Sequence, residues 1–339
     1  MDTSDTSAAP IMQEGAFPRE GSITEKLQFI LHYAALAPSE YNIQPWLFKV
    51  HNKTLEVYAD LSRRLPIADP QGREVLISCG AACMNIRVAL RYFGLQETLT
   101  FLPNPQCTNL VARMTVISSY EPNEEDRRLF SALPWRHTYR GEVSPKPIPR
   151  SSLDNFIKQA GQEGTWIRFV EGGLRQRLME LILEGDRQQW AHKDFRAELA
   201  QWLRPASAPD GMPISARPRG GSHPFWVRTL NLSHSEENKI QHALQQAPAL
   251  AILGTFGDSS LDWLLAGEAL ERVLLTACEE GIQASFFNQP LEIPELRTRL
   301  QTLLGPSDYP QMILRMGYTF SATPTPRRAM ADMLLTQEP

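Results

Sequence analysis

The 339-residue chain carries a formal net charge of −4, with 42% hydrophobic and 21% charged residues, the balance of an ordinary globular protein able to bury a substantial core. So weak a negative charge offers no footing for nucleic acid or an anionic membrane, and no uninterrupted apolar run approaches the roughly 20 residues that span a bilayer. Four scattered cysteines, with no second Cys or His pair at ligand spacing, argue against a metal centre and for a reducing, cytoplasmic setting.

Residues 1–21 lack the basic and apolar regions of a secretion signal and read as a flexible leader. Beyond them, helical and strand patterns alternate, as in an α+β or α/β domain. Ser22 and Glu25 make an S-x-x-E capping box ahead of the apolar stripe Ile23, Leu27, Ile30, Leu31 and Ala34, so a helix starts there. It runs into the loop APSEYNIQPWLF, Ala37–Phe48. Pro38 and Pro45 stiffen this loop, Ser39, Asn42 and Gln44 hold short polar groups together, and Trp46 supplies a flat apolar wall. Such a combination suits a flat heteroaromatic ligand with many hydrogen-bonding edges. A loop anchored by a helix and by the strand Leu47–Val50 is a good place to bind one.

A hairpin around Asn52-Lys53 follows. Gly72–Gly94 is apolar through its middle and predicts a buried central helix, with Cys79 and Cys83 as a structural pair inside it. Leu110–Ser119 reads as a strand. In Arg136-His137-Thr138-Tyr139-Arg140, alternate positions of an extended segment would send Arg136, Thr138 and Arg140 to one side, a set suited to a phosphate. His137 would then turn away from it.

After the Pro-rich connector Ser144–Arg150 come a helix at Ser151–Ala160, a strand at Thr165–Val170 and a helical region Leu174–Leu203 broken at Gly185. Arg204–Pro224 is dense in proline and glycine and reads as a loop. Trp190, Phe195, Leu199, Trp202 and Leu203 give 187–224 an apolar face, so this excursion reads as a lid or wall over a site. A buried strand Ala249–Phe256 and an apolar helix Leu261–Glu280 follow, the latter carrying Glu268, Glu271 and Glu279 as surface or interface charges. The segment Ile282–Asn288, a helix at Pro294–Leu304 and a strand Met312–Gly317 complete the order. Near the end, Thr325-Pro326-Arg327-Arg328 is a stiffened basic segment able to close over a phosphate.

No G-x-G-x-x-G follows a strand and no G-x-x-x-x-G-K-[ST] occurs. Gly220-Gly221-Ser222-His223 lacks the strand–turn–helix context of a nucleophile elbow. Gly80-x-Ala82 opens a stretch ending at Gly94-Leu95-Gln96, and Gly267-x-Ala269 opens another ending at Gly281-Ile282-Gln283 with the same spacing. A strand precedes each, which points to an internal duplication.

The string P-S-x-x-N-x-Q-P-W at Pro38–Trp46 resembles the signature loop of the FMN-dependent nitroreductase superfamily. The resemblance extends to R-x-[ST]-x-[RK] at Arg136–Arg140. GREVLISCGAA, LAGEALERVLL, ILRMGY and the closing TPRR further resemble the Acg subgroup, so the likeness covers about Ile23–Met333. Tyr139 and Gly141-Glu142-Val143 depart from it, where Acg-like chains tend to carry R-P-F. The resemblance implies an α+β nitroreductase-like fold. It assigns FMN contacts to Pro38, Ser39, Asn42, Gln44, Pro45, Trp46, Arg136, Thr138, Arg140, Arg327 and Arg328. Phe287, Asn288 and Gln289 would flank flavin N5, with a backbone N–H meeting it.

In ordinary members the loop reaches the flavin from the other subunit of a homodimer. Here the loop lies early in the chain, while the N5 segment Phe287–Gln289 and the closing Arg327 and Arg328 lie late in it, so the resemblance implies two fused halves, 22–143 and 144–330, a tail at 331–339, and one composite FMN site. A monomer with this internal pseudo-dimer, or a dimer of it, would use NAD(P)H to reduce flat acceptors such as quinones or nitroaromatics, with no side chain as catalyst. The alternative is a protein that sequesters FMN under a closed lid.

Overall fold

The computed structural model describes residues 13–214, 224–319 and 325–335. Part of the expected leader (1–12), part of the lid (215–223, including Gly220–His223) and the end of the tail (336–339) lie outside the described residues.

The capping box forms as its residues dictate. Ser22 N donates to Glu25 Oε2 at 2.7 Å and Glu25 N to Ser22 Oγ at 3.3 Å, which starts α1 (Ile23–Ala34). There follow β1 (Trp46–His51), β2 (Thr54–Ala59), α2 (Arg73–Tyr92), β3 (Leu95–Phe101), β4 (Leu110–Ser119) and α3 (Glu124–Ala132). The second half opens with α4 (Arg150–Gln162), β5 (Trp166–Phe169), α5 (Gly172–Ala191), α6 (Lys193–Trp202), β6 (Leu203–Arg204), β7 (Met212–Pro213), α7 (Pro224–Thr229) and α8 (Ser233–Gln246). It closes with β8 (Ala249–Thr255), α9 (Ser260–Glu279), β9 (Ile282–Phe286), α10 (Gln289–Glu292), α11 (Pro294–Leu304) and β10 (Tyr309–Tyr318).

Two four-stranded antiparallel sheets result, ordered β1-β2-β4-β3 and β5-β8-β10-β9. The second order is the first with each strand replaced by its counterpart in chain sequence. Each sheet places a 20-residue helix between its second and third strands, α2 in one and α9 in the other. These helices cross where their glycines meet. A Cβ on Gly80 would lie 2.1 Å from Leu264 O and 3.1 Å from Gly267 Cα, and one on Gly267 would lie 2.0 Å from Ile77 O. Only residues without a side chain allow so close an approach of two backbones. By length and composition α2 resembles a membrane span, yet 78% of its apolar window is buried inside the fold.

The acidic residues of α9 sit at this seam. Glu268 pairs with Arg87 at 3.0 Å and Glu271 with Arg136 at 3.3 Å, and the two glutamates are 2% and 0% exposed. They are interface charges. Each half also lends backbone to the other's sheet. Tyr139 N donates to Ala284 O at 2.8 Å, and near the chain end Phe48 N donates to Met333 O at 2.7 Å. Both contacts are short parallel bridges.

β3, α3, the short β6 and β7, α7, α8 and α10 were not expected from the sequence. Gly185 does not break its helix. α5 runs through it to Ala191, and Gly185 is where Gln289 packs, since a Cβ there would stand 2.9 Å from Gln289 Cβ. The break falls at His192, whose ring caps α6 by accepting from Phe195 N.

Candidate functional site

A cavity of about 220 Å³ opens between the two halves. Glu40 and Tyr41 of the loop after α1 form one wall. Ser285, Phe287, Asn288, Gln289 and Glu292, from the end of β9 and α10, form another. Arg140 and Arg315 enter from the side, next to Lys239 of α8, and Trp190, Phe195, Leu199 and Met212 of the 187–214 excursion make the roof. A larger cavity of about 740 Å³ shares Arg140, Lys239, Ala243 and Arg315 with the first. The chamber with the flat apolar walls therefore borders one lined by three cations.

The loop is held in an unfavourable shape. Tyr41, Asn42 and Gln44 have φ of 45°, 57° and 49°, a region that non-glycine residues adopt only under constraint. The constraint comes from the motif's own polar groups. Ser39 Oγ accepts from Gln44 N at 2.9 Å, Asn42 Nδ2 donates to Pro326 O at 3.1 Å, Gln44 Nε2 donates to Pro209 O at 2.9 Å, and Gln44 Oε1 accepts from Arg328 N at 2.8 Å. Asn42 and Gln44 thus tie the loop to the roof and the chain end, while Tyr41 is left to face the cavity. Trp46 does not form the expected ligand wall. It is completely buried in the core of the first sheet, and Tyr41, Phe287, Trp190 and Phe195 supply the cavity's aromatic surface. Pro45 also lies away from the cavity, where its carbonyl accepts from Asp60 N at 3.0 Å. Pro38 and Ser39 line a separate pocket of about 20 Å³ that shares Glu40 with the main one.

The expected phosphate set separates. Arg140 reaches the cavity, but Arg136 turns inward to Glu271 and donates to Leu36 O at 2.6 Å. Arg327 donates to Ala35 O at 2.7 Å and Leu36 O at 2.9 Å. The physical reason is the C-terminus of α1, whose last carbonyls need donors that the helix cannot supply. Arg328 bonds Gln44 O at 3.1 Å, and Thr138 is absorbed in the bridge to Ala284. His137 lies behind them, its pKa pulled down to about 3 by burial first and by Arg136 and Arg327 next.

Among the 287–289 residues, Phe287 N donates to Ile313 O at 3.0 Å. The Asn288 side chain is spent on structure, accepting from Ile313 N at 3.1 Å and donating to Glu74 Oε1 at 3.3 Å. Among the cavity residues, Ser285 Oγ, Gln289 Oε1 and Arg315 Nε have no hydrogen-bond partner among the described residues. Ser285 and Arg315 are only 4% and 3% exposed. Buried polar atoms are rarely left unpaired, so these mark where a bound molecule would complete the wall.

A protein of Mycobacterium tuberculosis (strain H37Rv) named "Putative NAD(P)H nitroreductase Rv3131" is 30% identical over 317 residues, covering 91% of both chains. This chain belongs to the nitroreductase family. Its Acg link is also present: "Putative NAD(P)H nitroreductase acg" of the same strain is 23% identical over 299 residues, covering 87% of this chain and 89% of its relative. No family model matches. Among solved structures, the FMN-dependent nitroreductase NfnB from Mycobacterium smegmatis in complex with NADPH aligns at TM-score 0.41 and 14% identity, over 62% of this chain and 99% of that one. A nitroreductase with bound FMN from Bacteroides fragilis aligns at 0.38 and 16% identity, over 64% and 100%.

In this nitroreductase chain the sequence reading missed Glu40, Tyr41, Ser285, Glu292, Arg315 and Lys239 as cavity residues. Arg315 left a signal: a charge in the apolar strand Met312–Gly317 is costly unless something pairs with it. Its Nη2 donates to Tyr139 O at 3.0 Å and Gly141 O at 2.8 Å. The others left none, because the surroundings that make them cavity residues are long-range.

Proposed function

We propose that the protein is an FMN-dependent oxidoreductase that takes reducing equivalents from NAD(P)H and passes two electrons to a flat acceptor of the quinone or nitroaromatic kind. What carries this reading is the cavity between the halves, where unpaired buried polar atoms, flat apolar walls and three cations meet. An isoalloxazine is flat and edged with acceptors and donors, which fits Ser285 Oγ and Gln289 Oε1, unpaired among the described residues, beside Tyr41 and Phe287. Arg140, Arg315 and Lys239 would hold the phosphate, Arg being suited to bidentate contact with such an anion. Arg136, Arg327 and Arg328 would serve indirectly, fixing α1 and the loop. When bound, the flavin supplies the hydride chemistry; the chain's residues bind it, orient it and exclude water.

The names of the relatives support the reading. So does the matching strand order of the two sheets, from which we infer that the halves 22–143 and 144–330 descend from one ancestral unit and together imitate a homodimer. The site is then complete in one chain. Titrating flavin-free protein with FMN tests the assignment. Micromolar or tighter binding that weakens in Arg140→Ala and Arg315→Met is expected, and no affinity for FMN would refute it.

One observation favours a second reading, that the protein stores FMN under a closed roof. The roof is fastened to the first half: Glu198 accepts from Ile67 N and Ala68 N, both at 2.9 Å, Arg63 pairs with Asp210, and Phe195, Leu199 and Met212 join the core of the first sheet. Anaerobic addition of NADPH separates the two. A flavin that bleaches within the turnover time supports the reductase, and one that stays oxidised supports storage.

A further inference from the structure

Three carboxylates from three separate elements converge beside the cavity. Glu40 comes from the loop after α1, Glu74 from the first turn of α2 and Glu292 from the end of α10, and ligand oxygens of all three lie within 4.8 Å of one another. Glu40 and Glu292 also line the cavity. Such close like charges cannot all ionise, so the group keeps a proton that isolated carboxylates would lose.

The neighbours do not cancel this. Arg73 on α2 donates to Glu74 at 2.7 Å, and Gln189 on α5 hydrogen-bonds Glu292. Arg140, in the segment after α3, also acts on Glu40, but Asp69 before α2, Asp186 on α5, Glu198 on α6 and the Tyr41 hydroxyl bring further acidic groups to the same place. Burial, the largest influence on each of the three, raises their pKa values, that of Glu74 to about 8. A separate observation points to a ligand here. The Ser285 side chain, 4% exposed and lining the same cavity, has no hydrogen-bond partner among the described residues.

We propose that Glu40, Glu74 and Glu292 act as a proton store that protonates the acceptor during its reduction. The inference rests on the reductase reading. A quinone that takes up a hydride equivalent, two electrons and one proton derived from NAD(P)H, needs one more proton to leave as hydroquinone. The cluster supplies it. A carboxyl O–H breaks, an O–H forms on the acceptor oxygen, the cluster becomes more negative by one charge, and a solvent proton restores it. Glu40 and Glu292 give up the proton at the cavity wall, and Glu74 behind them holds the reserve.

The test joins infrared spectroscopy of the FMN-loaded protein with its pH profile. The wild type is expected to show a buried, protonated carboxyl band at pH 7 that shrinks in both Glu40→Gln and Glu292→Gln. In these variants kcat with a soluble benzoquinone should fall about a hundredfold, in the range of a lost general acid, while anaerobic bleaching by NADPH changes less than about twofold. Glu74→Gln, which removes the reserve behind the cavity wall, should lower kcat less than either wall variant and shift the alkaline limb of the profile. Absence of the band, or a wild-type pH profile in all three variants, overturns the proposal. A protein that binds no flavin would overturn the reductase reading itself, and the visible spectrum reveals that before any variant is made.

Discussion

Replacing Gly80 by alanine puts a methyl group where the partner helix already has backbone. The new Cβ would lie 2.1 Å from Leu264 O, and the matching methyl in Gly267→Ala would lie 2.0 Å from Ile77 O. Real contacts of this kind stay above 3.0 Å, so α2 and α9 must separate by about an ångström. Overpacking of this severity costs about 1–3 kcal/mol, sometimes more, through lost contacts along the seam. The helices also carry the buried Arg87–Glu268 pair across it, so the upper end is expected for each single variant. Because the glycines face each other, one separation relieves both clashes. The double variant should therefore cost less than the two singles combined, by at least about 0.5 kcal/mol. Urea unfolding followed by tryptophan fluorescence and far-ultraviolet dichroism measures this. Single variants as stable as the wild type, or strictly additive losses, would refute the account of the seam as one close glycine crossing.

Arg140→Ala and Arg315→Met should each weaken FMN binding about tenfold or more, the loss of a charge-assisted hydrogen bond, as read by flavin fluorescence titration. Arg327→Ala, by contrast, should chiefly lower thermal stability by uncapping α1, with a melting temperature that drops even without flavin. Glu74, with its folded pKa near 8 against an ordinary 4.5, binds its proton more tightly in the folded state. Its contribution to stability is complete below pH 4.5 and is lost as the pH rises through 8, so Glu74→Gln should flatten stability between those limits in urea titrations. Glu198→Ala leaves the N–H groups of Ile67 and Ala68 without their partner. It should destabilise the fold by about 1–3 kcal/mol and speed flavin reduction by NADPH if the roof limits access.

Local chemistry made much of this fold legible. The Ser22–Glu25 box, the apolar run of α2 and the all-buried strand β8 depend on neighbours in sequence, and each formed near its expected bounds. The matched glycines Gly80 and Gly267 were visible as a spacing, and the structure adds that they touch. What local reasoning could not supply was direction. Alternation predicted that Arg136 and Arg140 would point together, yet open carbonyls of α1 and the buried Glu271 claimed the first and left the second to the cavity. Asn42, Gln44 and Trp46 looked like ligand contacts because they are polar or flat in a stiff loop, but the roof, the chain end and the core took them. Arg315 and Lys239 belong to the site only because β10 and α8 are brought beside Arg140. Glu40, Glu74 and Glu292 are far apart in sequence, so no spacing announces their cluster.

In the proposed function one chain holds a flavin between its halves and lets NAD(P)H reduce it. Anaerobic mixing of the FMN-loaded protein with NADPH, followed by absorbance of the oxidised flavin and then by addition of a quinone, tests it most directly. Bleaching by NADPH and prompt reoxidation by the quinone are expected. A bound flavin that remains oxidised under excess NADPH would contradict it.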